Sequence, residues 1–181
     1  MPYQSTGKTD DNASKNSLKA KLCKTLFMDR HVTQRIRDAS EILRTLGYLP
    51  EPITVREFLD YLTGETLTGD TTTPADILAN DYLMIHELVE ISELKRQEIP
   101  VDTHTMKNHS YHTYAAHLIA TDWEFSYALQ KGDLHWLKQR LTIATCWFDD
   151  PFLPPPLQPQ YRRLLNKYSR ALKTSNLKTS E

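Results

Sequence analysis

Along most of the chain, large apolar residues return every three or four positions, the period of a helix with one buried face. Ile36, Ala39, Leu43 and Leu46 make the first such stripe and predict a helix over residues 33–46, with Gly47 placed to end it. Thr54 followed three residues later by Glu57 is a capping box, and Val55, Phe58, Leu59 and Leu62 then share one face of a second helix. Residues 64–73 hold five threonines and two glycines and read as a loop. Thr73, Pro74 and Asp76 form the start of a third helix, with proline where its missing N–H is harmless and an acid near the positive helix end. No glycine or proline interrupts until Pro100, so this helix is expected to run unbroken over 74–98 for about 24 residues, on the order of 36 Å.

After a short connection at 99–104, a fourth helix is expected over 105–131, stopped by Gly132. Asp133 caps a fifth, lined by Leu134, Leu137, Leu141, Ala144 and Phe148. Residues 149–160 contain five prolines and predict an extended strap along the surface. The last helix, 160–173, sets Tyr161, Leu164, Leu165, Tyr168 and Leu172 against Arg162, Arg163, Lys167, Arg170 and Lys173. Period-two alternation is missing and no internal repeat is visible. The pattern predicts an all-α, single-domain antiparallel bundle of about six helices, occupying 21–173 and centred on a hairpin at 74–131. The polar ends, 1–20 and 174–181, are too poor in large apolar groups to offset ordering entropy and are expected to be disordered tails.

Charge sharpens this picture. The net charge is −1, yet residues 75–135 hold ten acidic against four basic groups, and residues 136–181 hold eight basic against three acidic. An acidic middle between basic ends fits internal pairing, a metal-binding centre, or a basic end that meets an anionic partner. The small net charge argues against a general nucleic-acid binder. Cys23 and Cys146 form neither a zinc cage nor a disulfide framework, and no apolar run is long enough for a membrane span or secretory leader, so a cytoplasmic protein is expected.

The two central helices carry the candidate chemistry. On the third, Ile77, Leu78, Met84, Ile85, Leu88, Val89 and Ile91 cover a broad side, while His86, Glu90, Glu93 and Gln97 fall in a strip roughly 60° wide. On the fourth, Ser110, Thr113, His117, Thr121 and Glu124 form a polar seam between one ridge of Tyr111, Tyr114, Leu118, Phe125 and Leu129 and another of Ile119, Trp123 and Tyr127. Folding the hairpin about its connection brings His86 level with His117, Glu90 with Thr113, and Asp81 with Asp122. If the seams face each other, His86, Glu90 and His117 supply two imidazoles and a carboxylate, a donor set that suits Zn, Fe or Mn with positions left for water or substrate. Glu87, Glu93 and Glu124 are then the candidates for a further ligand, a supporting partner or a general base. Glu124 lies seven residues from His117, about 10 Å along the axis, and is not expected to share one ion with it. The same strip also reads as a solvated helix face, the more ordinary arrangement, or as a buried hydrogen-bonded network without metal. His86-Glu87-x-x-Glu90 is not the H-E-x-x-H of zinc proteases.

Other features point less far. His104, His109, His112 and His117 crowd into 14 residues, and the first three read as exposed groups near a helix start. The aromatic residues of the fourth helix fit core packing better than a flat-ligand pocket. Cys146 sits beside a core stripe, and no nucleophile elbow, phosphate-cradling glycine loop or dinucleotide fingerprint is present. Three functions therefore stand, in order: a helical interaction or regulatory module with a protein partner or a second copy of itself, a metal-dependent enzyme of hydrolase type, and a nucleic-acid-associated protein using the basic last helix.

Overall fold

The computed structural model describes residues 28–65 and 72–178, so the tail expected over 1–20 and most of the 64–73 loop lie outside the described residues. Every regular element among the described residues is helical. Helix α1 spans 28–45, α2 Val55–Leu62, α3 Pro74–Ala79, α4 Asp81–Arg96, α5 Thr105–Asn108, α6 Ser110–Lys131, α7 Leu134–Thr145 and α8 Gln158–Lys178. Two 3₁₀ turns, Cys146–Asp149 and Pro155–Leu157, fill the passage from α7 to α8. No described helix is long and apolar enough to cross a membrane.

The local signals act as their chemistry requires. Thr54 and Glu57 complete their capping box at α2, and Thr73 and Asp76 complete another at α3. Gly47 ends α1 at φ +89°, where the Tyr48 N–H reaches the Leu43 carbonyl at 2.9 Å and the Gly47 N–H reaches Arg44 at 3.0 Å. This is the paired closure of a helix end that a left-handed residue permits.

Four expectations are corrected. The helix expected over 74–98 is broken at Asn80, whose backbone is extended and whose Oδ1 accepts from the N–H groups of Tyr82 and Leu83 at 2.9 and 3.1 Å. Asparagine there competes with the helical backbone and restarts it as an N-cap. Arg35 of α1 reinforces the break, donating through Nε to the Leu78 carbonyl at 2.7 Å and pairing with Asp81 at 2.8 Å. The helix expected over 105–131 breaks at His109 into α5 and α6. The proline strap is not a surface ribbon: it folds through a 3₁₀ turn straight into α8, and Leu153 and Leu157 are buried beside Tyr161. Pro159 falls in the first turn of α8, where a missing N–H costs no bond. Helix α8 continues past Lys173 to Lys178, so residues 174–178 are helix and not tail.

Helix α4 lies at the centre. Leu83, Met84, Ile85, Leu88, Val89, Ile91 and Leu94 are buried around most of its circumference. On one side it packs with Leu43, Tyr48, Phe58, Ile77 and Leu78 from α1, α2, α3 and the turn after α1. Helix α6 runs antiparallel along another side, with Ala116 and Ala120 fully buried. Helices α7 and α8 close the far side of α6 through Leu137, Leu141, Leu164, Leu165 and Tyr168, with Phe125 edge-on to Tyr168 at 5.2 Å. Gly64, just past α2, lies so close to the 101–104 turn that a Cβ there would stand 2.7 Å from the Thr103 carbonyl oxygen. Glycine thus lets α2 dock against the start of the α6 hairpin arm.

Candidate metal centre

Helix periodicity sets the site. His86 and Glu90, one turn apart on α4, point the same way, and α6 brings His117 and Glu124 to meet them. His86 Nε2 lies 3.2 Å from Glu90 Oε2 and 2.9 Å from His117 Nδ1, and His117 Nδ1 lies 2.9 Å from Glu90 Oε2. Two polar seams that the sequence placed level therefore do face each other. His86 and Glu90 are not part of a solvated strip: their side chains are 3% and 5% exposed, because α6 and α2 cover that face of α4, while His117 is 28% exposed. Among the described residues this is the only cluster of three potential metal ligands.

The far atoms of the cluster are held from behind. His86 Nδ1 meets Glu124 Oε2 at 2.8 Å. Glu124 is fully buried and gripped by Arg140 of α7, with Nε on Oε1 at 2.7 Å and Nη2 on Oε2 at 3.1 Å. Trp136 adds an indole N–H to Oε1 at 3.0 Å. An ionised carboxylate only accepts, so His86 Nδ1 carries a hydrogen and its Nε2, turned toward Glu90 and His117, is the nitrogen whose lone pair can be freed. On the other side the Tyr61 hydroxyl of α2 donates a short hydrogen bond to Glu90 Oε1, leaving Oε2 to the cluster. His117 packs edge-on against Trp147 at 4.9 Å, and Thr121 bonds back to the His117 carbonyl at 2.8 Å.

The electrostatics follow from burial and pairing. Burial works against a charged His86, but its hydrogen bonds to Glu124 and Glu90, and their charges, outweigh it and hold the imidazole up at about 10. Burial would raise Glu124, but His86 and Arg140 bring it down to about 2. Glu90 is likewise opposed by burial and held well below the usual carboxylate range by His117 and His86. Burial and the neighbouring Glu90 push the Tyr61 phenol well above its ordinary value, so it stays a donor. Without a metal, the protonated His86 ring lies between two carboxylates, with Nδ1–H on Glu124 and Nε2 turned to Glu90. A divalent ion would replace the proton on Nε2 and leave Nδ1–H on Glu124.

The remaining candidates separate. Glu124 is locked behind His86 by Arg140 and Trp136. The Glu93 carboxylate is committed to Tyr48 at 2.8 Å and to Arg96, away from the cluster. Glu87 is half-buried and close enough to Tyr61 for its charge to disfavour the phenolate. His104 is exposed, and His109 and His112 lie edge-on at 6.3 Å without joining a three-ligand group. The level pair Asp81 and Asp122 does not meet over a cation, since Asp81 pairs with Arg35 and Asp122 with Lys167 at 2.6 Å. Trp123 and Tyr127 pack against Tyr48 and Tyr82, so these aromatics are core.

Sequence reasoning passed over Tyr61, Trp136, Arg140 and Trp147. Arg140 left a signal: it falls between Leu137 and Ala144 in the buried stripe of α7, where a guanidinium needs an acidic partner. Tyr61 follows Phe58 by three residues on the core side of α2, where a phenol needs an acceptor. The chain matches no protein-family model, and comparison with curated proteins and with solved structures finds no similar one.

Proposed function

We propose that this protein is a metal-dependent enzyme of hydrolase type, with a divalent transition metal held by His86 Nε2, Glu90 Oε2 and His117 Nδ1. One observation carries the reading. Three inward-turned donor atoms stand 2.9–3.2 Å apart in a buried place, while the opposite atoms of two of them are tied down by Glu124 and Tyr61. Adjacent ligands of a single ion, each about 2.0–2.1 Å from it, stand roughly 3.0–3.4 Å apart. A histidine whose second nitrogen donates to a carboxylate is the usual support for such a ligand. Two imidazoles and one carboxylate suit Zn, Mn or Fe(II) and leave positions for water or substrate. A metal so held supplies an acidified water and polarises a substrate oxygen. The cytoplasmic setting inferred from the cysteine content belongs to this proposal.

Metal content of the purified, untagged protein tests it, with His86→Ala and His117→Ala beside the wild type. Near-stoichiometric metal that both substitutions abolish is expected. A wild type that stays metal-free after incubation with Zn, Mn and Fe(II) would overturn the reading.

A second reading, an interaction module, is supported by a different surface. Helix α8 exposes Arg162, Arg163, Lys167, Arg170 and Lys173, and a depression of about 330 Å³ between α6 and α8 has Leu118, Ile119 and Leu164 on its floor. An acidic protein surface suits it better than nucleic acid, because the floor is apolar and Lys167 already holds Asp122. Binding to an acidic protein that Arg163→Glu abolishes, and that leaves metal content unchanged, would assign a partner to this face. Binding to duplex or single-stranded oligonucleotides instead would assign it to the third function.

A further inference from the structure

The proposed centre has one open side. Of its three donors, His86 and Glu90 are sealed in the core, and His117 alone reaches the surface with 28% of its side chain exposed. Toward α2, Glu90 is covered by the Tyr61 phenol, which is bonded to it. Behind His86 stand Glu124, Arg140 and Trp136. What reaches the cluster from solvent comes past His117, and the group set against His117 is Trp147.

Trp147 is not a loose side chain. Its ring is edge-on to His117 at 4.9 Å and edge-on to Tyr161 at 5.1 Å, and Tyr161 is buried with Leu153 and Leu157. The 3₁₀ turn that carries it, Cys146–Asp149, is followed by Asp150, whose carboxylate accepts from Tyr114 at 2.5 Å. Tyr161 in turn donates to the Tyr114 carbonyl at 2.8 Å, so α6, α8 and the turn are tied together around the indole. The proline-rich passage that sequence reading treated as a surface strap is the frame that fixes Trp147 in place. A rigid aromatic wall beside an open metal position admits small ligands and excludes larger ones by contact.

We propose that Trp147 is the specificity-determining residue of the centre, a fixed wall beside His117 that favours small ligands over larger ones at the open metal position. The inference rests on the metal reading above, and the test separates the two. Co(II) is loaded into the full chain and its visible absorption is followed during titration with azide and with imidazole. Wild type is expected to bind azide and to exclude imidazole. Trp147→Ala is expected to bind imidazole at least about tenfold more tightly than wild type, with azide affinity changed by less than about twofold, as a steric filter acts on size alone. Trp147→Phe, which keeps an aromatic ring in the Tyr161 cluster, is expected to fall between them and guards against a folding defect in the alanine variant. Imidazole bound equally by wild type and both variants would overturn the role of Trp147 and leave the metal centre standing. A full chain that takes up no Co(II) would remove the metal reading and the filter together.

Discussion

Arg140 grips Glu124 with two prongs, Nε to Oε1 at 2.7 Å and Nη2 to Oε2 at 3.1 Å, and Glu124 is wholly buried. A guanidinium and a carboxylate meet in this forked way when geometry as well as charge is being fixed. What is fixed here is the His86 ring, because Glu124 Oε2 is also the partner of its Nδ1. Glu124→Ala would leave Arg140 and His86 without their shared counter-charge. Breaking a buried pair from one side costs about 3–5 kcal/mol. Replacing both partners by apolar residues, Glu124→Leu with Arg140→Met, should recover part of that loss. Chemical denaturation of the two single variants and the double variant measures the coupling. A single-variant loss near the ~0–1 kcal/mol of a surface pair would show that the fork does not hold the site.

The same cluster sets how the metal-free protein responds to pH. His86 is raised from its ordinary 6.5 to about 10, so its contribution is full below about 6.5 and is lost as pH rises through about 10. Glu124 is lowered from 4.5 to about 2, so its contribution is full above about 4.5 and is lost as pH falls toward about 2. Glu90 is shifted in the same direction as Glu124 and steepens the acid side. Stability in the presence of a chelator should therefore peak between about 4.5 and 6.5 and erode on both sides. His86→Ala should flatten the alkaline erosion above 6.5. An alkaline slope identical in wild type and variant would show that the proton on His86 does not stabilise the fold.

Much of this was legible before any coordinates. The capping box at Thr54, the helix start at Thr73 and the glycine stops at Gly47 and Gly132 follow from local chemistry, and all four stand. The level pairing of His86 with His117 follows from folding a hairpin about a short connection, and the 2.9 Å contact bears it out. What failed needed tertiary knowledge. A helical wheel gives the direction of Glu90 but not what covers it, so His86 and Glu90 read as part of a solvated strip when α6 and α2 in fact seal them, while Gln97 at the end of that strip is exposed. Asn80 sits in an otherwise helical run, and Arg35, 45 positions earlier in the chain, helps decide that the helix breaks there. Leu153 and Leu157 lie among prolines with no helical period, so only the buried Tyr161 reveals that their segment is core.

Tyr61 gives a sharper test of the ligand role of Glu90 than any change to Glu90 itself. Its phenol contributes one hydrogen bond, to Glu90 Oε1, on the side away from the cluster. Tyr61→Phe keeps the ring and the packing of α2 and removes that bond alone. A supporting partner of a metal ligand is worth about 10–100-fold in metal affinity. The variant should therefore lose at least about tenfold in Zn affinity, read by competition with a chromophoric chelator, while staying folded by circular dichroism. Unchanged Zn affinity would mean that Glu90 does not ligate, and would return the cluster to a buried polar network.

The end of α4 offers a test of backbone strain that is independent of the site. Glu98 follows that helix at φ 58°, and it is the only non-glycine residue with positive φ among the described residues. Its N–H reaches the Lys95 carbonyl at 3.0 Å and the Ile99 N–H reaches Leu94 at 3.0 Å, the same paired closure that Gly132 makes after α6 at φ 71°. A side chain in the left-handed region costs roughly 1–2 kcal/mol through contact of its Cβ with the backbone. Glu98 is exposed, so little packing is lost by removing it. Glu98→Gly should stabilise the protein by about 1 kcal/mol after the entropy of the unfolded glycine is counted, raising Tm by about 2–4 °C. Gly132→Ala should do the reverse by a similar amount, since a Cβ there meets no atom within 4 Å and the whole cost is conformational. Thermal unfolding of the two variants beside wild type decides it. A Glu98→Gly protein less stable than wild type would show that the Glu98 side chain contributes more than its backbone strain costs.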